Sequence, residues 1–129
     1  MPTFIRSAVF AAAIALSATS HAQQPTAPTT PAPGYLIANF NIHDPAGFQK
    51  YLETVGPMGQ KYKLKLVVFN TKSSAVEGSP KSVIVVAEFP SLAEAQRFYY
   101  SPEYTAAKQL RIAATEGSVI LTEGFVPSK

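Results

Sequence analysis

Glu88 stands in the apolar run VIVVAEF (Val83 to Phe89), on the parity of Ile84 and Val86. A carboxylate held among apolar neighbours favours its protonated form, which suits general acid or base work. The competing reading is a strand-end glutamate that reaches water or pairs with a basic side chain. Arg111 follows Tyr104 by seven residues and Ala107 by four, so the three share one helix face. A charge on a half-buried face demands an acidic partner or an anionic ligand. Glu88 and Glu77 are the partners the chain offers, and a small anionic or carbonyl-bearing molecule is the alternative.

Tyrosines surround these two charges in sequence. Tyr99 is sent inward with Phe98 by the helical period, whereas Tyr100 turns toward the break at Ser101. An apolar ring with a polar tip suits a pocket wall, so Tyr100, Tyr104 and Tyr51 are candidate ligand contacts, with core packing as the other role. Glu77, in VEG, lies in a long polar loop where Gly78 permits a turn, and its carboxylate is a candidate at the mouth of a cleft. His43 is the one histidine beyond the first 22 residues, and it is a second acid or base candidate because imidazole titrates near neutral pH.

Other chemistries are excluded by what is missing. With no cysteine there are no disulfides, thiol nucleophiles or thiolate metal sites. One histidine and dispersed carboxylates imply no metal site and no cofactor. The seven glycines are scattered singly, without a nucleophile elbow, phosphate loop or dinucleotide fingerprint. Basic residues are dispersed, so no nucleic-acid partner is expected.

The elements that must position these residues follow from periodicity. Tyr35 to Ile42 alternates, with Leu36, Ala38, Phe40 and Ile42 on one face, as a strand does. Asp44 and Pro45 read as N-cap and first helical residue, and Phe48, Tyr51, Leu52 and Val55 then form one stripe. VGPMG ends that helix, Lys63 to Phe69 reads as a second strand, and the polar stretch from Asn70 to Ser82 leads to a third at Val83 to Phe89. Ser91 with Glu94 predicts a capping box, with Leu92, Ala95, Phe98 and Tyr99 as the buried stripe. Pro102 restarts a helix that runs to about Ala114, and Gly117 to Phe125 is the fourth strand. FQKY at Phe48 echoes AQRF at Ala95.

The order β-α-β-β-α-β predicts an α+β, ferredoxin-like sheet with helices on one face. Ile37, Val67, Ile84, Val86 and Ile120 occupy the other parity and would leave an apolar open face on a single copy. The expectation is a homodimer whose sheets face one another.

Upstream of this domain, Met1 to Ala22 reads as a cleaved export signal, with Arg6, an apolar run from Ala8 to Ala18, and Ser20 and Ala22 at the −3 and −1 positions. That run is too short to span a bilayer, so the expected location is periplasmic or secreted, free of the membrane after cleavage. Residues 23–34 hold four prolines and no charge, a tether, and residues 126–129 form a short tail after the domain at 35–125.

VEG (Val76 to Gly78), VVAEFPS (Val85 to Ser91), FYYSPEYTAAKQLR (Phe98 to Arg111) and DPAGFQKY (Asp44 to Tyr51) resemble the domain of unknown function 1330 family. The resemblance implies a dimeric α+β barrel, in a superfamily containing cofactor-free monooxygenases, lactone isomerases and haem-degrading enzymes; the last would make His43 the obvious haem ligand. Members usually carry Gly-Gly before the second strand and an Arg leading into the third. Here Lys63-Leu64 and Lys81 stand there, and lysine lacks arginine's bidentate fork. Two functions are consistent with these residues: a small-molecule site with isomerase, proton-transfer or monooxygenase chemistry, or a non-catalytic structural dimer.

Overall fold

The computed structural model describes residues 29–128. The expected export signal and residues 23–28 of the tether lie outside the described residues. Eight elements follow in order: β1 (Gly34–Ile42), α1 (Pro45–Val55), α2 (Met58–Lys61), β2 (Lys65–Asn70), β3 (Val83–Phe89), α3 (Leu92–Tyr99), α4 (Pro102–Ala114) and β4 (Thr115–Glu123). The strands form one antiparallel sheet in the order β2-β3-β1-β4, the ferredoxin-like arrangement.

Alternation along β1 and β3 builds the core. Leu36, Ala38 and Phe40 of β1 and Val83, Ala87 and Phe89 of β3 are buried on the face that meets the helices. Phe48 of α1, Ala95 and Phe98 of α3, and Tyr104, Ala107 and Ala114 of α4 close over them. The echo between FQKY and AQRF is thus a packing echo, since Phe48, Ala95 and Phe98 all belong to this core.

The caps explain where the helices begin. Asp44 Oδ1 accepts from the Gly47 amide at 3.0 Å, and Ser101 Oγ accepts from the Tyr104 amide at 3.1 Å. Ser91 Oγ accepts from the Glu94 amide at 3.2 Å, but the second half of the expected capping box is absent: the Glu94 carboxylate is held by Arg97 at 2.8 Å instead.

Four details differ from expectation. The segment after α1 forms a further short helix, α2, in place of a simple turn. β2 starts at Lys65 because Lys63 adopts a left-handed backbone, φ 53°, which interrupts extension. β4 begins at Thr115, directly from α4, with the Thr115 hydroxyl donating to the Arg111 carbonyl at 2.8 Å. At the other end, β1 takes in Gly34, where a side chain would collide with the backbone of Ser91 and Leu92.

Candidate functional site

A pocket of about 390 Å³ lies between the helix-facing side of the sheet and helices α1, α2 and α4. Its walls are mostly apolar: Phe40, Phe48, Leu52, Phe69, Val85 and Phe98 are among them. Four lining side chains carry hydrogen-bonding groups, namely Tyr51, Gln60, Tyr104 and Arg111.

The helical period brings Arg111 there. Tyr104, Ala107, Arg111 and Ala114 form the buried stripe of α4. Arg111 is only 8% exposed, and its Nε is buried without a hydrogen-bond partner. Among the described residues the ion pairs are Lys61 with Glu103 and Glu94 with Arg97, at the surface, so no carboxylate neutralises Arg111. The expected pairing with Glu88 or Glu77 is therefore not formed.

Beside it, the Tyr51 and Tyr104 hydroxyls lie 3.2 Å apart across the α1–α4 contact, with their rings edge to face. Burial holds the Tyr51 pKa far above the ordinary tyrosine value; the neighbouring Tyr104 hydroxyl adds to the rise and the Arg111 charge opposes it. At neutral pH Tyr51 is a hydrogen-bond donor and not a base. A guanidinium and two phenols in an apolar pocket can grip a carboxylate or polarise a carbonyl oxygen.

Of the sequence candidates, Arg111, Tyr51 and Tyr104 come together; four others do not join them. Glu88 points to the open face of the sheet, where its carboxylate accepts from the Tyr35 hydroxyl at 2.9 Å. That bond keeps the Tyr35 proton on, raising its pKa. Glu88 shares parity with Ile84 and Val86, and the helices cover the opposite parity, so it does not enter the pocket. Tyr100 is 70% exposed and packs edge to face on Tyr99. Glu77 is exposed in the β2–β3 loop, and His43 is exposed between β1 and α1, its amide donating to the Ala114 carbonyl. Gln60 was missed because α2 was missed; the only trace of it in sequence is a glutamine one residue after Gly59.

These features define an α+β protein of ferredoxin-like topology with an arginine-bearing apolar pocket beneath its helices. The chain belongs to the domain of unknown function 1330 family (DUF1330), whose model matches residues 33–125. A protein of unknown function from Rhodopseudomonas palustris shares the fold at 20% identity and a TM-score of 0.59, covering 74% of this chain and 85% of its own. SnoaB, a cofactor-independent oxygenase from Streptomyces nogalater, is similar at 12% identity and a TM-score of 0.51, covering 76% and 95%. A hydroxynitrile lyase from Passiflora edulis is similar at 14% identity and a TM-score of 0.50, covering 78% and 98%. At these identities the likeness is one of fold. No match was found among curated proteins.

Proposed function

We propose that this protein binds a small anionic or carbonyl-bearing molecule in the pocket, with Arg111 holding the anionic or carbonyl oxygen and the Tyr51–Tyr104 pair, whose hydroxyls bond to each other, donating its one free proton beside it. One observation carries this reading: a buried guanidinium with no carboxylate partner opens onto an apolar cavity. Arginine cannot escape by losing its proton, so an unpaired charge in such surroundings costs several kcal/mol, which a bound anion offsets. The structural alternative for Arg111 rested on an ion pair with Glu88 or Glu77, and neither is in place.

The donor set serves stabilisation of a developing oxyanion or enolate. Among the described residues, no carboxylate, imidazole or thiol lines the pocket to accept a proton. Isomerisation or oxygenation of a substrate that ionises readily is the reaction class that suits it, and the likeness in fold to a cofactor-independent oxygenase supports that direction. The protein acts after export, as the leader at residues 1–22 suggests, and as a homodimer joined through the open sheet face. What supports the dimer is the set Ile37, Ile84, Val86 and Ile120 on that face, opposite the helices, joined by Val68 in place of the expected Val67 because the β2 register shifts between Leu66 and Val68.

The test is titration calorimetry of the purified protein against small carboxylates, lactones and phenols, repeated on Arg111→Met. Binding should occur in the wild type and vanish in the variant. With no carboxylate left stranded, the unliganded variant should be more stable than wild type by roughly 1–3 kcal/mol. Binding that survives the substitution would remove Arg111 from the site.

A further inference from the structure

Resting on that reading, we infer that the ligand is a monocarboxylate with an apolar body, bound head first. Arg111 is the one positively charged side chain among the pocket-lining residues. A single guanidinium neutralises a single negative charge; a dicarboxylate or phosphate would bury a second one against apolar walls with nothing to balance it. Arg111 lines the pocket, its planar guanidinium carries paired N–H donors that match the two oxygens of a carboxylate, and the mutually bonded Tyr51 and Tyr104 hydroxyls leave one further donor.

Depth sets the orientation. Arg111, Tyr104 and Phe98 are buried at the inner end, whereas Leu66 and Phe69 of the edge strand β2 and Gln60 of α2 are exposed. The carboxylate therefore sits inside and the body runs outward along Phe48, Phe69 and Leu66 to the mouth between β2 and α2. A volume of about 390 Å³ is at the small end of ligand pockets, which suits a single ring or a short alkyl chain.

The experiment uses calorimetry at pH 7 with phenylacetate and octanoate, their neutral alcohols, and succinate and inorganic phosphate. The two apolar monocarboxylates should bind, and the alcohols and dianions should bind more weakly by roughly tenfold or more. Phenylacetate and octanoate separate a ring from a chain as the body. Leu66→Ser, on the exposed edge strand, should weaken octanoate while leaving butyrate unchanged; this variant reads the apolar body without disturbing Arg111 or the core. Succinate or phosphate binding as tightly as octanoate, in an Arg111-dependent way, would overturn the monocarboxylate assignment and leave anion binding standing. No binding by any anion, or binding indifferent to Arg111→Met, would overturn both.

Discussion

The Tyr51 hydroxyl meets the Tyr104 hydroxyl at 3.2 Å, joining residues 53 positions apart at the inner wall of the pocket. This pair ties α1 to α4 and presents two phenols beside Arg111.

The pair should be energetically coupled. Tyr51→Phe and Tyr104→Phe each remove one partner and should cost about 1 kcal/mol, with the double variant costing less than the sum. Urea unfolding of the four proteins in the cycle measures the coupling, and strict additivity would show that the contact contributes nothing.

Alkaline pH should destabilise the fold. Tyr51 and Tyr35 both hold their protons more tightly when folded than the ordinary value of 10.0. Above pH 10 the unfolded chain loses those protons first, so it binds fewer than the native state and stability falls as pH rises. The contribution is complete below pH 10 and is lost beyond it. Melting temperatures between pH 8 and 11 should therefore decline at the upper end, and less steeply in Tyr51→Phe.

Lys63 should be a place to gain stability. It holds a left-handed backbone, φ 53°, at the position where the family resemblance leads one to expect glycine. Lys63→Gly should relieve about 1 kcal/mol of strain, partly offset by the greater freedom of the unfolded glycine chain. A higher urea midpoint is the expected result.

The proposed dimer has its own test. Val86 pairs with Ile37 on one side and Val68 on the other, at the middle of the open face. Val86→Glu should convert the dimer to a monomer in sedimentation while leaving the helical circular dichroism unchanged. A wild type that sediments as a monomer at high concentration would remove the sheet-to-sheet interface.

The local pattern was enough to place each strand within two residues at either end, because alternation, the caps at Asp44 and Ser91 and the restart at Pro102 act over a few neighbouring residues. The stripe from Tyr104 to Arg111 was equally legible, since it needs only the helical period. Period 2 also groups Glu88 with Ile84 and Val86. That parity is the one read from the sequence as the open face, so the place of Glu88 outside the pocket was legible too; that Arg111 meets a cavity and no carboxylate depends on how α4 docks. Distance in sequence hides the rest: Tyr51, Gln60, Phe69 and Arg111 share a cavity only because β2 lies beside β3 and α1 packs on α4. The sequence alone determined every element but α2, and the face most residues take on their own element. Tertiary structure alone decided that a buried arginine would find two phenols and an apolar cavity instead of a carboxylate, because that outcome depends on how separate elements dock.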